Sequence, residues 1–177
     1  MWVGLEEDMR VMGVDPGNAV TGFGVVERKP GLCLIAAGTI RPGMVEHGPA
    51  RLAIIYKRLL EEIDRHLPEA ISLERSFVAV NVQSAFRLGE ARAMAMLAAA
   101  HRDLALFEYT PTDVKLSIAG HGRADKAQVK YMVGRTLEAE SVAQMADDAA
   151  DALAVALCHL FRMKMPSVAP ASRRVRN

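Results

Sequence analysis

Four acidic residues stand out by position. Asp15 closes the apolar run Met9 to Val14, and Glu74 closes the run Ala70 to Leu73. Asp148 and Asp151 sit three apart in the segment DDAADALAVALCH. On a helix that spacing puts both side chains on one face, with Cβ atoms about 5–6 Å apart. Carboxylates gathered in one cleft repel each other and are pushed toward their protonated forms. A divalent cation removes the conflict, and an all-oxygen donor set suits Mg²⁺ or Mn²⁺. Two such ions about 3.5–4 Å apart activate water and hold a phosphate for in-line displacement. Each acid also has a plainer reading. Asp15 could cap its own turn, the DDAAD acids could serve only a helix N-terminus, and Glu74 could pair with Arg75 or Arg92. Asp147, one position out of phase, reads as a solvated or capping acid.

Phosphate chemistry also needs cations. Lys115, His121, Arg123, Lys126, Lys130 and Arg135 fall within 113–135, with Gly120 and Gly122 between them. Lys126 and Lys130 are four apart, on one helical face. Such a stripe fits a phosphate track, which positions a duplex without reading bases. It also fits a solvated helix face with Asp125 as local partner. Phe77, just past Glu74, reads either as core or as a wedge or stacking surface beside a scissile site.

The elements that must carry these residues follow from pattern. Met9 to Val14 and Thr21 to Val26 are apolar runs flanking the turn cluster Asp15-Pro16-Gly17-Asn18, which predicts two strands and a tight connection. Gly31 to Ile40 is a third strand, completing an antiparallel meander. Ala50 to Leu67 has Leu52, Ile55, Tyr56, Leu59, Leu60 and Ile63 at helical spacing, and Pro68 stops it. Ala70 to Glu74 is a fourth strand, Val82 to His101 a small-residue helix, and Leu104 to Tyr109 a fifth strand. Pro111 at a helix start, after Thr110 as candidate N-cap, opens a short helix to about Ile118. Ala124 to Leu137 and Ala143 to Phe161 are the last helices. The order β-β-β-α-β-α-β-α-α-α predicts an α/β fold with a five-stranded mixed sheet: an antiparallel three-strand meander plus two parallel strands, flanked by helices. If strands one and four are neighbours, Asp15 and Glu74 meet across them.

At 177 residues and 51% hydrophobic content the chain reads as one folded domain, expected over 9–161. Net charge is +1, but residues 162–177 hold five bases and no acid, so the rest carries 17 bases against 21 acids. That basic tail is expected to be flexible. It could brush a phosphate backbone or serve only solubility. The two cysteines, Cys33 and Cys158, have no metal-ligand spacing and read as reduced, buried thiols. The first eight residues lack a signal-peptide pattern and read as a short disordered extension, and no run is long enough to span a membrane. The expected setting is the cytoplasm.

Four collinear segments, GVDPGNAVTGFGVV, LERSFVAVNVQSAFRLGEARA, YTPTDVKLSIAGHGRADKAQV and DDAADALAVALCH, resemble the bacterial RuvC Holliday junction resolvases. The likeness runs from about Met9 to His159. It implies an RNase H-like fold and a homodimer that binds four-way DNA junctions. Such a dimer makes paired symmetric nicks with two Mg²⁺ ions per site, Mn²⁺ being a possible substitute, and leaves 5′-phosphate and 3′-hydroxyl ends. By resemblance Asp15, Glu74, Asp148 and Asp151 are the catalytic metal ligands. Phe77 is the aromatic near the junction centre, and Lys115 and Lys126 are the functional lysines. From the basic stripe rather than the resemblance, Arg123 and Lys130 are expected to extend the DNA contact. The helix after Glu74 is the dimer helix, and a branch-migration helicase complex is the partner. Competing readings are a different RNase H-like nuclease, a non-catalytic junction binder of the same fold, and a sugar-kinase or actin-like ATPase, for which the chain is too short.

Overall fold

The computed structural model describes residues 8–17, 19–43, 48–75 and 82–163. Strands β1 (Met9–Asp15), β2 (Thr21–Lys29) and β3 (Gly31–Ile40) form the expected antiparallel meander, and β4 (Ala70–Glu74) and β5 (Ala105–Tyr109) extend it in parallel on the β1 side. The sheet order is β3-β2-β1-β4-β5. Helices α1 (Pro49–His66) and α2 (Val82–His101) cover one face; α3 (Pro111–Ala119), α4 (Lys126–Thr136) and α5 (Asp147–Met163) cover the other.

Strand alternation decides which side chains meet which helices. On β1, Met12 and Val14 enter the core under α1 and α2, whereas Val11 enters the core under α5. Gly13 and Asp15 share the Val11 face. On β4, Ile71 and Leu73 face α1 and α2, which turns Ser72 and Glu74 toward α5. α5 is apolar almost all round from Ala149 to Leu160, as a helix buried over a sheet must be. Leu153, Leu157 and Leu160 are fully buried there, each contributing roughly 1.5–3 kcal/mol. His159, also fully buried, meets the Tyr109 hydroxyl at 2.7 Å through Nδ1. Burial, then Arg28, pushes its pKa down to about 4, so it packs as a neutral ring.

Three expectations need correction. The last helix starts at Asp147, not Ala143, because Glu140–Gln144 forms a separate 3-10 turn that buries Val142. α4 starts at Lys126 rather than Ala124, because the Asp125 side chain caps it by accepting from the Gln128 amide at 2.7 Å. Cys158 is buried as expected, but Cys33 lies exposed on the edge strand β3. The basic segment beyond Met163 lies outside the described residues.

Candidate active site

β1 and β4 pair in parallel with Val14 opposite Leu73, so the next residues, Asp15 and Glu74, are neighbours at the strand ends. α5 crosses this point with its first two turns. The approach is close because the sheet is notched with glycine beneath it. A Cβ on Gly22 would stand 1.9 Å from the Asp148 carbonyl oxygen, and one on Gly13 would stand 2.0 Å from that of Ala152. The notches let the helix backbone rest on the sheet, which delivers Asp148 and Asp151 to the Asp15 end.

Electrostatics registers the convergence. Burial, and then the charges of Glu74, Asp151 and Asp148, push the Asp15 carboxyl up to about 7, while Lys126 pulls it down. Lys126 donates to Asp151 Oδ2 at 2.9 Å, and that bond raises its own pKa. Asp15, Glu74, Lys115, Lys126 and Asp151 line an open cleft of about 270 Å³, walled by Pro111, Val114, Val129 and Ala154.

Other expected site residues separate from this group. Arg123 is exposed on the connection between α3 and α4, away from the cleft lining. Lys130 lies on the same face of α4 as Lys126, but its ammonium donates to the Met145 carbonyl at 2.6 Å and to Asp147 at 2.9 Å. It therefore fastens the entry to α5. Asp147 is exposed and binds Lys130 outside the acid cluster. Phe77 lies outside the described residues. Arg75 and Arg92 both engage Glu108, on the opposite face of β5.

Thr110 is the N-cap of α3, as expected; Asp113, not singled out from the sequence, completes a reciprocal capping box with it. The Thr-x-x-Asp spacing carries that signal. Arg51, at the start of α1, donates to the Gly17 carbonyl at 3.2 Å; no local spacing announces that contact.

The donor set fits a hard divalent cation. It is all carboxylate oxygen, and burial, together with the charges of Glu74, Asp151 and Asp148, pushes the Asp15 carboxyl up to about 7, a demand for positive charge that Lys126 meets only in part. Among the described residues, no three acidic, histidine or cysteine side chains are drawn together tightly enough to ligate one ion as they stand. Asp151 is engaged with Lys126 through Oδ2, so a cation drawn to that oxygen would compete with the ammonium. The Lys126 side chain is 77% exposed, so solvent can receive the displaced ammonium. Substituting Lys126 by glutamine should therefore tighten Mn²⁺ binding several-fold, by removing the competing cation. Titration of Mn²⁺ by electron paramagnetic resonance checks this; unchanged affinity would mean that the ammonium does not compete for the site.

The family described as "Crossover junction endodeoxyribonuclease RuvC" matches residues 11–159. A relative of that name from Pelotomaculum thermopropionicum is 48% identical over 155 residues, covering 85% of this chain and 92% of that one. Another, from Alkalilimnicola ehrlichii, is 44% identical over 159 residues, covering 88% and 93%. T. thermophilus RuvC, solved in complex with a Holliday junction substrate, superposes with a TM-score of 0.83 at 34% identity over 88% of this chain and 95% of that one. The yeast mitochondrial resolvase Ydc2, at 14% identity and a TM-score of 0.67 over 86% and 78%, shares the fold alone. The five-stranded mixed sheet with its flanking helices is thus the RNase H-like fold. The chain belongs to the RuvC crossover junction endodeoxyribonuclease family.

Proposed function

We propose that this chain resolves four-way DNA junctions by paired symmetric nicks, with two Mg²⁺ ions held by Asp15, Glu74, Asp148 and Asp151. The observation that carries the reading is the meeting of acids from β1, β4 and α5 at a cleft whose remaining charged lining is lysine. The T. thermophilus relative solved on a Holliday junction supports the choice of substrate.

Bound cations would lower the pKa of a water and offset charge on the phosphate and the leaving 3′-oxygen. Asp15, whose carboxyl feels the charges of all three other acids, would be shared between the ions, with Glu74 and Asp151 supporting one and Asp148 the other. Lys115 and Lys126 place ammonium groups in the cleft, where they attract the backbone phosphate. Lys126 then offsets charge on the phosphorus centre as it becomes five-coordinate. Phe77, Arg123 and Lys130 are the proposed outer DNA contacts, Lys130 only after it leaves Asp147.

Paired nicks need two such sites. Val82, Phe86, Met96 and Leu97 are exposed along α2, and Gly89 has open space before it. Val82, Phe86, Gly89, Ala93, Met96 and Ala100 follow the alternating four- and three-residue spacing of a helix-packing seam. This face is the proposed homodimer contact, related by a two-fold axis. Phe86→Glu should yield monomers by analytical ultracentrifugation and uncouple the two nicks; a dimer retained in that variant places the interface elsewhere. The proposed setting is the cytoplasm, where a bacterial chromosome lies, beside a branch-migration helicase complex.

The decisive assay compares a synthetic four-way junction with a linear duplex of the same arms, with and without Mg²⁺. Paired symmetric cuts confined to the junction and dependent on Mg²⁺ are expected. Asp148→Asn should abolish cutting while leaving junction binding intact. Equal cutting of the duplex, or undiminished cutting by Asp148→Asn, rejects the reading.

A further inference from the structure

Arg51 is a buried cation that no catalytic step uses. It sits in the first turn of α1 at 8% exposure. Removing a guanidinium from water costs several kcal/mol unless its partners are well placed. Its Nη2 donates to the Gly17 carbonyl at 3.2 Å, and its Nη1 lies 3.8 Å from Glu90 Oε2 on α2. Gly17 is two residues past Asp15, in the connection beyond the β1–β2 ladder, whose last pair is Asp15–Gly22. The same connection lies beside the helix-borne acid, since a Cβ on Gly17 would be 3.9 Å from Asp148 Oδ1. Gly17 lies outside the ladder, and a fixed donor to its carbonyl limits where the chain leaving Asp15 can go.

We propose that Arg51 is a positioning residue: by joining the Gly17 carbonyl to Glu90, it clamps the turn after Asp15 to α2 and fixes Asp15 relative to Asp148. The clamp spans three elements, so the placement of α2 reaches the acid cluster through one side chain. At 8% exposure Arg51 offers almost no surface to DNA. Its effect is geometric, and displacements of about 1 Å in such sites cost roughly 10² in rate. The inference rests on Asp15 and Asp148 acting together in the nuclease site.

The test compares Arg51→Gln, Arg51→Lys and Glu90→Gln with the unchanged chain. Four quantities are read: amide hydrogen exchange of residues 15–22, Mn²⁺ affinity without DNA, junction affinity, and single-turnover cleavage at saturating junction. Arg51→Gln should speed exchange in that segment, weaken Mn²⁺ binding at least about fivefold, and slow cleavage between 10- and 100-fold. Junction affinity should stay within about twofold, because the side chain is buried. Arg51→Lys, which keeps a charged donor, should recover part of the metal affinity. Glu90→Gln, which keeps the Gly17 bond, should show a smaller loss of the same kind. If Arg51→Gln folds poorly, Glu90→Gln and Arg51→Lys carry the test. The proposal is overturned if segment exchange and Mn²⁺ affinity in the folded variants match the unchanged chain, or if losses only follow the folded fraction. An unchanged chain that fails to cut junctions would reject the nuclease reading but not the clamp, since exchange and Mn²⁺ binding require no DNA.

Discussion

Replacing Asp15 with asparagine should abolish junction cleavage and, at the same time, make the metal-free protein more stable at pH 8. The two effects share one cause. The Asp15 carboxyl is pushed from 3.8 up to about 7 by burial and by Glu74, Asp151 and Asp148. A raised acid pKa means that the folded state binds its proton more tightly than the unfolded chain does. Stability from this group is therefore greatest below pH 4, is lost as pH rises from about 4 to 7, and is flat above that. At 1.36 kcal/mol per pKa unit, ionising Asp15 in the folded protein costs up to about 4 kcal/mol at pH 8. Recovering half of that in the asparagine variant would raise the melting temperature by roughly 4–8 °C for a chain of this size. The gain should shrink as pH falls toward 4. Cleavage should drop at least about 10³-fold, the loss of a carboxylate proposed to hold the cations. Mg²⁺ should raise the melting temperature of the unchanged chain at pH 8 and do little for the variant. Thermal unfolding in EDTA and in Mg²⁺, at pH 5 and pH 8, measures all of this. A variant no more stable at pH 8, or one that keeps the Mg²⁺ response, would show that Asp15 does not carry the cluster's electrostatic strain.

The same carboxylate explains why so much of the site could be read before any fold was known. An acid at the last position of an apolar run has its backbone placed by the strand, so Asp15 and Glu74 needed only strand adjacency to meet, and Val14 opposite Leu73 supplies it. The three-residue spacing of Asp148 and Asp151 likewise follows from helix geometry. Periodicity is silent, however, on the partner that a long side chain selects. Lys126 and Lys130 share a face of α4, yet one reaches Asp151 and the other reaches Asp147 and the Met145 carbonyl. That choice depends on where α5 begins, and the pattern misplaced that start by four residues. Met145 stands in helical phase with Ala149 and Ala152, but the chain just before it makes a 3-10 turn, with Val142 packed against α4. Arg51 shows the same limit: its contacts join residues 34 and 39 positions away and leave no local trace.

Gly22→Ala should be the most damaging single-methyl change outside the acids. The glycines of β1 and β2 look in sequence like ordinary weak points of strands. In the fold they are the reason that α5 can lie directly on the sheet. A methyl on Gly22 would meet the Asp148 carbonyl oxygen at 1.9 Å and the Asp148 carbonyl carbon at 2.3 Å. Carbon and carbonyl oxygen in non-bonded contact normally stay at about 3.3 Å or more. The obstacle is backbone on both sides, so no rotamer relieves it and the start of α5 must rise by more than about 1 Å. Asp148 moves with it. Overpacking of this kind typically costs 1–3 kcal/mol, and a backbone collision belongs at or above the top of that range. A loss of about 3 kcal/mol lowers the melting temperature by roughly 6–12 °C. The folded fraction should cut junctions about 10²-fold more slowly, since the displaced residue is itself a proposed cation ligand. Gly31→Ala provides the contrast: a Cβ there meets nothing within 4 Å, and its effect on stability should stay within about 0.5 kcal/mol. The critical comparison is cleavage measured well below the melting temperature of Gly22→Ala. If the rate per folded molecule then equals that of the unchanged chain, the seating of α5 on the glycine notch is a stability feature only, and the position of Asp148 does not depend on it.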